Sequence, residues 1–219
     1  MNKLQMNLLS VLAQVGFANV SKEQVREQIE ANFTAKAEVQ ASVNTLLAIE
    51  DKYKELTEQV KAEAETAREL SLEATRQLEA LDVTEKDAIT KMMELEAQKA
   101  QAESKLQASG RVIKALEDKK KAELIAELPN TFSLGLKANN QSYLMLGQIT
   151  KIVNPFNIKL LTQVLADIDT EMREVDYNMH RVARETGASG NIVNGVKIDK
   201  ERDFYTVMAH DLERALKNK

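Results

Sequence analysis

Apolar side chains near the N-terminus recur every three or four residues, which is the spacing of one face of an α-helix. They are Leu4, Leu8, Leu9, Leu12 and Val15. Gly16 follows the last of them and is expected to cap the end of this helix. Ser21 and Gln24 then form a capping-box pattern, in which each side chain satisfies a backbone N–H group of the first turn. The pattern therefore predicts one helix up to Gly16 and a second that begins near Lys22.

A heptad-like series of apolar and small side chains predicts a long helix of coiled-coil character after this point. Its members are Val39, Val43, Leu46, Tyr53, Val60, Ala64, Ala67, Ala74, Leu78 and Leu81. Thr84 and Asp87 form a second capping-box pattern, so residues 82–87 are predicted to form a turn, with continuous helix as the alternative. A second apolar series follows, and consists of Ile89, Met92, Leu95, Ala102, Leu106, Ile113, Leu116 and Leu124.

The two predicted helices, residues 36–82 and 85–128, are nearly equal in length, each about 65–70 Å at a rise of ~1.5 Å per residue. Equal helices joined by a short turn predict an antiparallel hairpin. Between Gly16 and Gly110 the chain contains neither Gly nor Pro, which favours uninterrupted helix. Ser109-Gly110 is expected to produce a kink or a short loop, and Pro129 is expected to end the second helix.

After Pro129 the sequence contains less Ala and Glu and more Asn, Gly and Phe. We expect a loop, a short helix around 141–152 and a break before Pro155. A helix over 157–185 is predicted by the stripe Ile158, Leu161, Leu165, Ile168, Met172, Val175, Met179 and Val182. Asn194-Gly195 lies between β-branched residues and predicts a β-hairpin, and Asp199 is expected to cap a final helix that ends near Leu216.

Together these elements predict a mainly α fold, with a long coiled-coil-like helical hairpin and a small helical C-terminal domain containing one short β-hairpin. The predicted divisions are an N-terminal helical segment over 1–35, the hairpin over 36–128 and the C-terminal domain over 129–219. The chain has only five Phe, four Tyr and no Trp. Because Ala supplies much of the apolar content of the hairpin, we expect helices packed along their lengths rather than around one large core.

Composition removes several classes of function. The chain has no Cys, which excludes disulfides and thiolate chemistry, and its formal net charge is −4 without a basic segment suited to phosphate backbone. No apolar stretch approaches the roughly 18 residues needed to cross a bilayer. Asn7 and Gln14 interrupt the apolar stretch that a signal peptide would need, so we expect this helix to be retained and the protein to be cytoplasmic, or virion-associated if viral.

One row of the predicted C-terminal helix carries Asp169, Arg173, Asp176 and His180. Asp176 and His180 have the spacing of two metal ligands on a helix. A metal site at these residues would indicate a metal-dependent enzyme. A solvated face with ion pairs is the favoured interpretation, because no further ligand can be named. Residues 187–190 lack the Lys-Ser/Thr ending of a phosphate loop and are expected to be a flexible loop. We therefore predict no enzymatic activity, no catalytic residue, no cofactor and no metal site.

Residues Val11-Leu-Ala-Gln-Val-Gly-Phe17, followed by Ser21, resemble the second helix-turn-helix of AraC-type regulators. The resemblance implies that the helix beginning at Lys22 contacts DNA and that the hairpin dimerises, a layout similar to KfrA-type plasmid proteins. Lys22 and Arg26 would make that contact, whereas Glu23 and Glu27 would repel phosphate. A DNA-associated protein is thus the alternative function, and it predicts salt-sensitive DNA binding that is lost when Lys22 and Arg26 become Glu.

The favoured function is that of a non-enzymatic structural or assembly protein, for example a virion or scaffold-type component. It would act through helix packing with itself or with a protein partner, away from membranes, with Ala allowing close approach and interspersed Glu and Lys setting register. The cluster around Phe132 and Tyr143 is either an exposed docking surface or core for the base of the hairpin. The predicted interface consists of Val39, Val43, Leu46, Tyr53, Val60, Ala67, Leu78, Phe132, Tyr143 and Leu146.

Overall fold

The computed structural model describes residues 21–82, 84, 86–152, 158–188, 192–193, 196–197 and 207–217. These residues are mainly α-helical, as predicted. The helices are α1 (Lys22–Asn32), α2 (Thr34–Glu79), α3 (Ala88–Ile152), α4 (Ile158–Glu185) and α5 (Met208–Lys217). Two short strands, β1 (Ile192–Val193) and β2 (Val196–Lys197), pair antiparallel. Their connection at Asn194-Gly195 lies outside the described residues, so the β-hairpin stays a prediction.

Helix α1 begins at the residue that its capping box predicts. The Ser21 hydroxyl accepts a hydrogen bond from the Gln24 backbone N–H at 3.3 Å, and the Gln24 side chain accepts one from the Ser21 N–H at 3.0 Å. One face of the helix is buried through Val25 and Ile29. The helix predicted over residues 4–16, with its cap at Gly16, lies outside the described residues.

The two long helices, α2 and α3, flank the predicted turn and contact each other, for example through Ser42 with Thr131 and Tyr53 with Glu123. Helix α2 ends at Glu79 and α3 begins at Ala88. The helix start that the second capping-box pattern predicts is wrong, because α3 begins directly after Asp87 and not near Thr84. Thr84 instead donates its backbone N–H and its hydroxyl to the Asp82 carboxylate, at 2.9 and 2.7 Å, and so stabilises the turn.

Helix α3 runs without interruption through Gly110 and Pro129. The helix end expected at Pro129 is therefore wrong, as is a short loop at Ser109-Gly110, whereas the alternative of a kink at Gly110 stays a prediction. The loop predicted after Pro129 and the separate helix predicted over 141–152 are also wrong, because both segments belong to the continuous helix α3. A proline costs roughly 3 kcal/mol inside a helix and a glycine about 1 kcal/mol. Leu128 and Phe132, which lie on either side of Pro129, are both buried. Their burial offsets this cost, because it requires the helix to continue through Pro129.

The described chain divides into two compact units. The arm unit comprises Ala48–Glu123, and the core unit comprises the residues up to Leu47 and those from Leu124 onward. The boundaries between these units fall within α2 and α3, and they differ from the boundaries of the predicted segments 1–35, 36–128 and 129–219. The predicted segments stay predictions. In each unit α2 and α3 run antiparallel: in the core unit Ser42 contacts Thr131 while the earlier Ala35 contacts the later Gln141.

The core unit is built around α4, whose bounds match the predicted helix over 157–185. Every member of its predicted stripe from Leu161 to Val182 is buried. The facing rows of α2 and α3 are buried as well, and consist of Ala35, Val39, Val43, Leu46, Leu124, Leu128, Phe132, Ala138, Met145 and Ile149. Helix α5 adds Met208, Ala209 and Leu212 to this core. The predicted cap of the last helix, Asp199, lies outside the described residues.

Candidate functional site

The predicted interface residues separate into two groups once the fold is known. Val39, Val43 and Leu46 on α2 are fully buried in the core unit, where the chain's own helices cover them. Phe132 is also buried, and its ring lies edge-on to the ring of His180 on α4, with centroids 5.2 Å apart. These four side chains hold the core unit together, and a second molecule has no access to them in this structure.

The other part of the predicted patch on α3 faces solvent. Tyr143 is 55% exposed, and its neighbour Leu144 is 70% exposed. Leu136, about two turns earlier, is exposed as well, while Leu146 is half-buried. We call Leu136, Tyr143 and Leu144 the α3 surface. It is an apolar surface in the core unit that remains exposed beside the described residues of the chain.

The arm unit buries its apolar residues less completely than the core unit. Of its predicted interface residues, Tyr53 and Ala67 are buried, whereas Val60 and Leu78 are only half-buried. A groove of about 440 Å³ lies between α2 and α3 in this unit. Its lining consists of Val60, Glu63, Thr66, Ala67, Leu70, Lys105, Ala108, Ser109 and Val112. We call this the arm groove.

Two large apolar side chains stand at the arm groove in contact with solvent: Leu70 is 57% exposed and Val112 is 45% exposed. Neither of them belongs to the interface that the sequence predicts. Leu56, another exposed leucine, lies two heptads before Leu70, and this spacing is the signal that could have revealed a second apolar row beside the main one. Small residues between the helices, Ala67 and Ala108, leave the space that forms the groove.

A polar cluster joins the two helices at the end of the arm unit where residues 52–53 meet Glu123. The Tyr53 hydroxyl donates to the Glu123 carboxylate at 2.5 Å, and the Lys52 ammonium lies 3.1 Å from the same group. Lys52 also lies over the Tyr53 ring, 4.7 Å from its centre. Hydrogen bonds from Tyr53 and Lys52 lower the pKa of Glu123. The cluster fixes which residues of the two helices lie side by side.

The two cations of the predicted DNA contact both pair with carboxylates of α4. Lys22 lies 2.7 Å from Asp167, and Arg26 forms an ion pair with Glu171. Arg26 also contacts Glu30 at 3.0 Å. The release of counterions supplies most of the affinity of a protein for nucleic acid. A cation that is already paired with a carboxylate releases fewer counterions when it meets a phosphate group, so it adds less affinity. Helix α1 therefore uses these cations to dock on α4.

Lys36 on α2 completes this network of charges. Its ammonium lies 2.6 Å from both Glu30 and Glu171, and its side chain is mostly buried. Desolvation opposes ionisation of the two carboxylates, but hydrogen bonds and charge from Lys36 and Arg26 outweigh it and lower the pKa of both Glu30 and Glu171. The network links α1, α2 and α4 within the core unit.

The row of polar residues on α4 is not the solvated face that the sequence predicts. Asp169 and Asp176 are buried, and Asp169 accepts hydrogen bonds from the backbone N–H groups at the start of α5. The Asp176 carboxylate lies 3.3 Å from His180, whose ring packs against Phe132. Periodicity placed these residues on one row, but α3 and α5, which contact that row, are distant in sequence. Among the described residues, no three His, Asp or Glu side chains converge as metal ligands would.

The candidate phosphate loop begins with a residue that terminates a helix. Gly187 has a φ of 73°, and its N–H donates to the Arg184 carbonyl at 3.0 Å. A left-handed glycine of this kind ends α-helices, here α4. Ser189 and Gly190 lie outside the described residues.

No helix among the described residues combines the length and apolarity needed to cross a membrane. Comparisons with protein-family models, with curated protein sequences and with solved structures find no match for this chain.

Proposed function

We propose that this chain is a non-enzymatic structural or assembly protein that acts by packing its helices against a copy of itself or against another protein. The observation that carries the proposal is the open arm groove, where Leu70 and Val112 remain exposed beside half-buried residues of the helix seam. Two helices alone leave much of their apolar surface in water, and helical bundles close their cores with a third or fourth helix. The arm unit is therefore suited to receive further helices.

The α3 surface supports the same proposal from the core unit. Tyr143 and Leu144 are adjacent, large and mostly exposed, and Leu136 extends the same apolar region. Aromatic and leucine side chains grouped in this way mark protein-binding surfaces more often than scattered single ones. A role as a virion or scaffold-type component, with coiled-coil packing between chains, is the kind of assembly that such surfaces would serve.

The DNA-associated alternative has less support, because Lys22 and Arg26 are already paired with Asp167 and Glu171. Acidic residues on the exposed side of α1, Glu23 and Glu27, add repulsion toward phosphate.

The absolute mass in solution tests the proposal. Light scattering on a size-exclusion column, over a hundredfold range of concentration, is expected to show a defined oligomer of the 24.5 kDa chain. A monomer at every concentration would contradict assembly with itself. In that case assembly with another protein would require the α3 surface, and exchange of Tyr143 and Leu144 for Ser should abolish co-purification of a stoichiometric partner from the native source. The absence of both an oligomer and such a partner would overturn the proposal.

A further inference from the structure

Helix α5 is fastened to α4 through a buried carboxyl group. One oxygen of Asp169 accepts a hydrogen bond from the Met208 N–H at 3.0 Å, and the other accepts one from the Ala209 N–H at 2.9 Å. The Asp211 N–H donates to the Val207 carbonyl at 3.0 Å, but the N–H groups before it have no carbonyl one turn earlier in the helix. Asp169 therefore supplies acceptors that the first turn of α5 cannot supply for itself.

The apolar part of this contact is small. Helix α5 has 10 residues and buries Met208, Ala209 and Leu212 in the core unit, where it packs on α4. Isolated helices shorter than about 12–15 residues are marginally stable in water, so α5 depends on this contact to stay helical.

The other described helices of the core unit are held together by contacts that do not involve α5. Helix α1 pairs with α4 through Lys22 and Arg26. Helix α3 contacts α4 through the rings of Phe132 and His180. One element of a protein can open locally while the rest stays folded, when few of the remaining contacts depend on it. These contacts therefore allow α5 to open by itself.

We propose that α5 is a detachable latch on α4, and that the ionisation of Asp169 controls its release. Asp169 is buried while α5 is docked. Burial removes water from a carboxylate and so disfavours its charged form. Docking of α5 therefore favours a proton on Asp169, and loss of that proton favours release. The latch is held in acid and loosened at neutral pH. This device goes beyond the proposed function and does not depend on it.

Charged groups on both helices act on the Asp169 carboxyl group. Burial raises its pKa to about 6, against the two backbone hydrogen bonds and the positive charge of Arg173 on α4. The negative charge of Asp211 on α5 adds to the rise. Asp211 itself lies 3.0 Å from Arg214 and 3.8 Å from His210. Since the ordinary pKa is 3.8, the docked state retains a proton between pH 3.8 and about 6 that the released state has lost.

The test is amide hydrogen exchange of the full chain, resolved by NMR and corrected for the intrinsic exchange rate at each pH. Amides of α5 such as Leu212 are expected to open about tenfold or more readily than amides at the centre of α4, such as Met172 and Val175. The opening constant of α5 is expected to rise about tenfold from pH 5 to pH 8. Equal protection of the two helices, or an α5 opening constant independent of pH, would overturn the latch.

Asp169→Asn removes the titrating group and keeps the size of the side chain, so the pH dependence of α5 opening should disappear. His210→Gln is the matched control on α5, because histidine is the residue type whose charge ordinarily changes in this range of pH. It should retain the dependence. A rise that persists in the Asp169 variant, or that is lost in the His210 variant, would show that Asp169 does not control release.

Two further variants test the same control without changing Asp169. Arg173→Gln, at an exposed position, removes a charge that favours the ionised form and should move the pH of release upward. Asp211→Asn removes a charge that disfavours it and should move the pH of release downward. Opposite shifts in a full pH series support control by Asp169, and the absence of both shifts overturns it.

Discussion

The Asp169 side chain on α4 accepts a hydrogen bond of 2.9 Å from the backbone N–H of Ala209 on α5, and its second oxygen accepts one of 3.0 Å from Met208. The first N–H groups of a helix have no acceptor within the helix, so Asp169 caps α5 from a distant part of the chain. Burial raises the pKa of Asp169 to about 6, against the opposing effects of the two backbone hydrogen bonds and Arg173. Asp211 adds to the rise.

This raised pKa predicts a pH dependence of stability with a definite sign. Between pH 3.8 and about 6 the folded chain retains a proton on Asp169 that the unfolded chain has lost. The contribution of this group to stability is therefore complete below pH 3.8 and is lost as the pH rises through about 6. In the Asp169→Asn variant this fall in the free energy of unfolding should disappear, and urea denaturation at successive pH values measures it.

Asp167→Asn is the matched control on the same helix, since Asp167 is partly exposed and pairs only with Lys22 among the interactions described. It should retain the wild-type dependence between pH 4 and 6. An unchanged slope in the Asp169 variant would show that another group causes the effect.

A second prediction concerns two hydroxyl groups beside Pro129. Ser42 and Thr131 lie 2.7 Å apart and are both buried, and the Thr131 hydroxyl also reaches the Glu127 carbonyl at 3.2 Å. Thr131→Val should cost about 1–2 kcal/mol, since it leaves the Ser42 hydroxyl buried without its partner. The double variant with Ser42→Ala should cost less than the sum of the two single changes, because no buried hydroxyl then remains unsatisfied.

Chemical denaturation of the four proteins in this cycle gives the coupling energy. Thr45→Val is the control, since the Thr45 hydroxyl makes the same local contact, with the Ala41 carbonyl at 3.1 Å, at an exposed position. Its cost should be small. Additive costs for Ser42 and Thr131 would mean that their hydrogen bond contributes nothing to stability.

The sequence was sufficient where a local pattern determines the structure. The capping box of Ser21 and Gln24 involves only residues three apart, and the stripe of α4 is complete within one helix. Pro129 was misjudged because the local cost of a proline competes with the burial of Leu128 and Phe132 by helices remote in sequence. The cap provided by Asp169 was missed for the same reason, since its partners lie 39 and 40 residues away.

The interface shows the same limit within a single helix. Phe132 and Tyr143 are eleven residues apart, which is about three turns at ~3.6 residues per turn, so they share a face of α3. Phe132 is covered by the core unit, and Tyr143 is not. No pattern within α3 could distinguish them, because the difference depends on what packs against each turn.

This difference yields a third prediction. Phe132→Ala should destabilise the protein by about 3–5 kcal/mol, because it leaves a cavity beside His180 in the core unit. Tyr143→Ala, on the same face of the same helix, should change the free energy of unfolding by less than about 0.5 kcal/mol. Thermal and urea denaturation of both variants decides the point. Comparable costs for the two would mean that Tyr143 is covered in solution, by the chain or by a second copy.

The last prediction concerns the network of Arg26, Glu30, Lys36 and Glu171. Glu171→Gln removes the charge that joins α4 to the other two helices, and should cost about 1 kcal/mol at neutral pH and low salt. Because the pKa of Glu171 is lowered from 4.5, the stability that its charge provides is present above pH 4.5 and is lost as the pH falls through the lowered value. The difference between variant and wild type should therefore narrow in acid and in concentrated salt.

Glu73→Gln is the control, since Glu73 is exposed and lies 4.0 Å from its only ion-pair partner among the described residues, Arg76. It should have no measurable effect, because an exposed pair gains little from a single contact. If instead the Glu171 variant were as stable as wild type at every pH, the network would hold α1 against α4 no more firmly than ordinary surface charges. Arg26 would then be only weakly held by Glu171, and the part of the argument against contact between α1 and DNA that rests on Arg26 would be lost.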